Sequence, residues 1–114
     1  MKITLSGIER AEKKAEKEAD RAWADTIKDR DGWKCVICSD KNRPNAHHII
    51  PRENKECRLD WDNGITLCIA HHKFSRQISA HNNPFAFFIW LAENRPVQFA
   101  KARDRAKEYI DCIT

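Results

Sequence analysis

Ala11, Ala15, Ala19, Ala22, Trp23 and Ile27 recur at helical spacing through an otherwise charged segment, which predicts a helix over 6–30 with a narrow apolar stripe. Ser6-x-x-Glu9 carries a capping-box signature at its start, and Asp31-Gly32 supplies the stop. The period then shortens. "WKCVICSDKNRPN" reads as a tight turn between two cysteines, and "NAHHIIP" as a short strand stopped by Pro51. "RENKECRLDWDNG" is a polar loop, "ITLC" a second short strand, and "IAHHKFSRQIS" a helix. Asn82-Asn83-Pro84 breaks the chain before "PFAFFIWLAEN", a helix over 84–94 that is apolar nearly all round and is expected to be buried. A break at Arg95-Pro96 precedes an amphipathic helix over 96–113, with Phe99, Ala102, Ala106, Tyr109, Ile110 and Ile113 as its apolar face. The expectation is one α+β domain over 1–114: a hairpin-then-helix core at about 25–80, one helix before it and two after.

Length and composition narrow this picture. The 114 residues suffice for one domain with a modest core, and 33% charged against 41% hydrophobic is an ordinary globular balance. "MKITLSGIERAE" lacks the apolar run of a secretory leader, and "PFAFFIWLA" is too short to cross a bilayer, so a soluble, cytoplasmic protein is expected. The net charge of +4 is modest, but its distribution is uneven. Acidic and basic residues balance over 1–31, whereas over 41–76 Lys41, Arg43, Arg52, Lys55, Arg58, Lys73 and Arg76 outnumber Glu53, Glu56, Asp60 and Asp62. A phosphate-bearing partner and a merely solvated loop surface both fit that excess. The thin stripe of the first helix suggests that its first half projects from the domain. A solvated helix is the expectation there, with a DNA-contacting arm and a dimer contact as the other readings.

There are five cysteines, an odd number, and Cys35-x-x-Cys38 is too closely spaced for an ordinary disulfide framework; in a reducing compartment that spacing reads as metal or redox chemistry. Cys35-x-x-Cys38 is followed, across residues 39–67, by Cys68-x-x-His71, and two short-spaced ligand pairs split by a loop are the usual form of a structural zinc site. Zinc takes four tetrahedral N or S donors, which three thiolates and an imidazole supply, and in a small domain the binding energy becomes folding energy. Cys57 is the rival fourth ligand, and Cys112 reads as a small apolar residue.

Four of the five histidines form two adjacent pairs, His47-His48 and His71-His72. Neighbours on a helix point about 100° apart and neighbours on a strand diverge, so each pair divides between two tasks. The set "AHHIIPR…DNGITLC…H", with fourteen residues from His48 to Asn63 and eight from Asn63 to His72, resembles the HNH endonucleases. The framing cysteine pairs resemble the zinc-bearing branch of that family, although its last zinc position is usually Cys and here is His71. The "RLDWDNGITLC…HH" stretch is similar to phage and archaeal recombination-type members. The resemblance covers about residues 25–80.

That resemblance implies a ββα-metal fold and a one-metal hydrolysis of DNA phosphodiesters. His48 would be the general base that deprotonates the attacking water, and Asn63 would hydrogen-bond loop backbone and fix the angle of His48. His47 and His72 would hold one divalent cation, Mg²⁺ or Mn²⁺, against a phosphate oxygen and the departing 3′ oxygen. Cys35, Cys38, Cys68 and His71 would hold the structural Zn²⁺. Arg76, four residues beyond His72, would share its helical face and clamp phosphate; Arg52 and Lys73 are backbone-contact candidates. Bland readings stand beside these: Asn63-Gly64 as a turn pair, His47 and His48 as surface histidines, Arg76 as solvated. His81 would cap a helix, touch DNA or bind metal, and Trp33 and Trp61 are expected to pack. The expected activity is nonspecific nicking or cleavage of branched DNA such as a Holliday junction, for which a homodimer and a phage- or virus-encoded origin fit. The alternatives are a non-catalytic zinc module that binds nucleic acid or protein, and an accessory nuclease of a phage packaging complex.

Overall fold

The computed structural model describes residues 6–113; residues 1–5, part of the stretch read for a leader, and Thr114 lie outside it. Helix α1 (Gly7–Asp31) begins at Ser6, whose hydroxyl accepts from the Glu9 amide at 3.1 Å, and ends at Gly32 in the left-handed region at φ 73°. Strands β1 (Asn45–His48) and β2 (Gly64–Leu67) pair antiparallel, with His47 opposite Ile65 and His48 opposite Gly64. Helices α2 (Pro84–Asn94) and α3 (Pro96–Asp111) follow, each with proline in its first turn, where no backbone donor is lost. The fold is thus mixed α and β around a two-stranded sheet.

β2 is buried along its whole length. Ile65 and Leu67 join Cys35, Ile49, Cys68, Phe87 and Leu91 in the apolar core, while Thr66 lies against α1, its hydroxyl donating to the Ile27 carbonyl. Gly64 is required by proximity. Its φ of −129° suits any residue, but a Cβ there would sit 2.6 Å from both Ile27 Cγ1 and Trp23 Cζ2. The missing side chain lets α1 lie directly on the sheet.

One buried carboxylate ties three elements together. Asp31, at the end of α1, accepts from the Thr66 amide on β2 at 2.9 Å, from Arg30 at 2.8 and 2.9 Å, and from Arg95 between α2 and α3 at 3.4 Å. Gln98 of α3 donates to the Gly64 carbonyl at 2.6 Å, so β2 is held at its first and third residues by side chains from outside the sheet.

The structure corrects several expectations. In the α1 stripe only Trp23 and Ile27 are buried; Ala11 and Ala15 are exposed, as expected of a projecting first half, and Ala22 is exposed as well. The helix expected over "IAHHKFSRQIS" is a single π-helical turn, Ala70–Phe74, closed by the Ser75 amide on the Ala70 carbonyl at 2.8 Å. Beyond it the chain folds back, with the Ala80 and His81 amides donating to the His71 and His72 carbonyls and Asn83 Nδ2 donating to the Arg76 and Gln77 carbonyls. These loop bonds replace the ones that would have continued the helix. α2 is not buried all round: Phe87 and Leu91 face the core, while Phe85, Phe88 and Ile89 are exposed. α3 stops at Asp111, and Ile110 and Ile113 lie in solvent rather than on a packed face. Trp33 and Trp61 are also half exposed, lying beneath Lys28 and Arg30 as cation–π partners.

Candidate metal and histidine centres

Two groups of ligand-type side chains converge at the sheet. The first is Cys35, Cys38, Cys68 and His71. Cys38 Sγ lies 3.7 Å from Cys68 Sγ, and His71 Nδ1 lies 3.6 Å from Cys35 Sγ and 3.3 Å from Cys68 Sγ. A zinc ion with bonds of about 2.3 Å to sulfur and 2.05 Å to nitrogen requires tetrahedral edges of about 3.8 Å (S to S) and 3.6 Å (S to N). The donors therefore stand at the corners such an ion needs. Desolvation, with the neighbouring thiols of Cys68 and Cys35, pushes the Cys38 thiol up to about 11. Three sulfurs this close become thiolates together only around a cation. Cys57, the rival ligand, is elsewhere: it is buried beside Tyr109, with its Sγ 3.9 Å from the phenol oxygen. Cys112 is exposed at the end of α3.

The second group is His47, His72 and His81, each offering a nitrogen within 4.8 Å of the others. Their rings meet edge to face at 4.7 to 5.2 Å between centroids, and Phe87 closes one side against His47. His72 Nε2 and His81 Nε2 are 3.2 Å apart, while His72 Nδ1 is buried without a hydrogen-bond partner. Burial first, then the neighbouring histidines, lowers the pKa of His47 to about 3; burial, then His81 and Lys73, lowers that of His72 to about 4. Both rings are neutral at pH 7 and offer lone pairs, the state a cation requires. His81 reaches the group through the loop bond from its amide to the His72 carbonyl, at 2.9 Å. No periodicity in "SAHNNP" marks it. A third histidine within ten residues of a candidate ligand is the only sequence signal there was.

His48 points away from both groups. Its ring stacks on Trp23, with centroids 3.9 Å apart and planes at 9°. Its Nε2 lies 3.0 Å from the Arg58 carbonyl. A carbonyl only accepts, so Nε2 carries the hydrogen and Nδ1 keeps a free lone pair. Burial lowers the His48 pKa from its usual 6.5, more than the Arg58 carbonyl and Asp20 raise it. The result is a neutral imidazole of fixed tautomer, suited to accept a proton near pH 7.

Asn63 holds the loop that holds His48. Its Nδ2 donates to the Ile50 and Cys57 carbonyls, and its Oδ1 accepts from the Ile50 amide at 2.8 Å. It lies in a short 3₁₀ turn, Trp61–Asn63, without positive φ, so the turn-pair reading does not describe it. Arg58 reaches across to α1, where its Nε meets Asp20 at 3.0 Å and its Nη1 bonds Glu16. Sequence reading missed Trp23, Asp20 and Arg58 as supports of His48, since nothing local couples residues so far apart along the chain.

The three expected phosphate contacts are dispersed. Arg52 is exposed and pairs with Asp20 at 3.3 Å, and Lys73 is exposed on the π turn. Arg76 does not share a helical face with His72, because the helix that would align them is absent; it sits on the exposed bend after Ser75. Among the described residues no helix is long and apolar enough to cross a membrane. No family model matches the chain, and neither a curated protein nor a solved structure is significantly similar to it.

Proposed function

We propose that this chain is a metal-dependent endonuclease of the HNH type, hydrolysing DNA phosphodiesters on a hairpin core braced by zinc at Cys35, Cys38, Cys68 and His71. The observation that carries the reading is His48, a neutral imidazole with its tautomer fixed by the Arg58 carbonyl, next in sequence to a ligand of a three-histidine cluster. Nδ1 of His48 takes the proton of the attacking water, and the Trp23 stack keeps the ring from rotating during the transfer. Asn63 keeps the 50–57 loop in place, as the resemblance requires. His47, His72 and His81 would hold a divalent cation, which when bound offsets the charge developing on the phosphate and its leaving oxygen.

The donor set refines the choice of ion. Three imidazoles suit zinc, nickel, cobalt or iron better than Mg²⁺, which favours oxygen ligands. Mn²⁺ lies between.

Purified protein with supercoiled plasmid and with a synthetic four-way junction, in Mg²⁺, Mn²⁺, Co²⁺ and Ni²⁺, tests this beside His48→Ala. Cleavage by the wild type that falls 10²–10⁴-fold or so in the variant supports the base assignment. A protein that carries one zinc per chain but cuts neither DNA in any metal is the non-catalytic zinc module instead.

A further inference from the structure

The first half of α1 is a charged rod standing clear of the core. Residues 7–18 are all exposed, although the helix is capped and continuous to Asp31. Its charges are sorted by face. Glu16 and Asp20 turn toward the protein and are neutralised there by Arg58 and Arg52. Arg10, Lys14, Lys17 and Arg21 follow the spacing i, i+4, i+7, i+11, so at 100° per residue they fall within an arc of about 60°. This row lies about 100° round the helix from the face that carries Asp20 and Ile27. All four side chains are exposed, and none has an ion-pair or hydrogen-bond partner among the described residues. Glu18 borders the row and Asp25, near its end, pairs with Lys28, so this face presents four clustered positive charges over about 16 Å of its length with a carboxylate at its edge.

We infer that this row is a docking surface for the phosphate backbone of duplex DNA, a deepening that rests on the nuclease reading above. The complementarity is one of charge and shape. Duplex DNA is a stiff rod with one negative charge per about 1.7 Å of axis, and long flexible cations aligned on a straight helix neutralise it by displacing condensed counterions. Such contacts position a protein without reading bases. In the core, Arg52 and Arg58 are held by Asp20 and Glu16 and contribute less to such contacts. The arm adds affinity for DNA of any sequence, on a face about 150° round the helix from Trp23, the stacking partner of His48.

The test is the salt dependence of binding to a fluorescent 30-base-pair duplex, measured by anisotropy without added divalent cation. Wild type is compared with Arg10→Gln/Lys14→Gln/Lys17→Gln/Arg21→Gln and with a charge-matched control, Lys34→Gln/Lys41→Gln/Arg103→Gln/Lys107→Gln. Glutamine keeps good helix propensity, and far-UV circular dichroism verifies that α1 persists. Four phosphate contacts contribute about 3.6 to the slope of log affinity against log salt. Between 50 and 200 mM salt the wild type should thus lose on the order of 100-fold more affinity than the row variant, with the control close to wild type. An unchanged slope in the row variant, or an equal fall in the control, overturns the inference while plasmid cleavage by wild type still upholds the nuclease reading. Wild type that neither binds nor cuts DNA overturns both.

Discussion

Trp23 and His48 lie face to face, 3.9 Å between ring centroids, although they come from the first helix and the first strand. The indole Nε1 also donates to the Asp60 carbonyl at 2.8 Å, so one side chain clamps the ring of His48 and the loop behind it. Replacing Trp23 by Ala should cost about 3–5 kcal/mol of stability, as truncation of a buried tryptophan does. Trp23→Phe should keep most of that stability and a flat partner for His48, but leave the Asp60 carbonyl without its donor. Urea unfolding and plasmid cleavage under conditions where both variants are folded separate the effects. The Ala variant should lose cleavage well beyond the Phe variant, whereas equal losses would show that the stack does not orient the base.

Gly64 sits opposite His48 on the hairpin and beneath Trp23. Gly64→Ala is conformationally acceptable at φ −129° and would raise strand propensity, yet its methyl would overlap Trp23 and Ile27. The expected outcome is destabilisation of about 1–3 kcal/mol from overpacking, with reduced cleavage as the indole shifts. A stable variant with wild-type activity would mean that α1 rides up from the sheet without consequence.

Asp31 makes the fold acid-sensitive in a defined range. Burial raises its pKa, but the hydrogen bonds and charge of Arg30, with the Thr66 amide and hydroxyl, outweigh that and leave it below the usual 3.8. The unfolded chain therefore takes up this proton before the folded one does. The stabilisation is complete above the unfolded value and is lost as pH falls through the folded value. Urea midpoints measured from pH 7 to pH 2.5 should drop steeply below about pH 4 for wild type. Asp31→Asn should be less stable at pH 7 and show a shallower fall over the acid range.

The two ligand groups should separate under mutation. Cys38→Ser should abolish zinc retention, measured by release to a chromogenic chelator, and unfold the core at ambient temperature, because binding energy here is folding energy. His81→Ala should leave zinc content and the unfolding midpoint close to wild type. It should weaken binding of the second cation, read by calorimetry with Co²⁺ or Ni²⁺, by about 10-fold or more. Loss of both metals in the His81 variant would show that the clusters are not independent.

Local rules made part of this molecule legible. Ser6 and Gly32 bound α1 because caps act within a turn, and the Cys-x-x-Cys and Cys-x-x-His pairs are readable because short ligand spacings are local as well. The two strands lie where "NAHHIIP" and "ITLC" predict them, although the first ends at His48, short of Pro51, and the second begins at Gly64. What escaped was set at a distance. "IAHHKFSRQIS" has helical composition, but backbone bonds from Ala80 and His81 and the side chain of Asn83 capture carbonyls of this segment. That capture ends the helix after one turn, takes Arg76 off the expected face and brings His81 to His72. Asp31 looks like a helix-terminating residue in sequence; its role as a junction depends on Arg95 and Thr66, remote along the chain. Phe85, Phe88 and Ile89 were expected inside because α2 is so apolar, yet a domain of this size has core surface for only one side of it.

His71 and His72 are consecutive residues that serve different clusters, so a single peptide unit is the hinge pin of both. The plane of that peptide cannot turn to suit one group without displacing the other. The carbonyls of the same two residues receive the returning chain at Ala80 and His81, so the place of the third imidazole is tied to the seating of the cysteine-rich group.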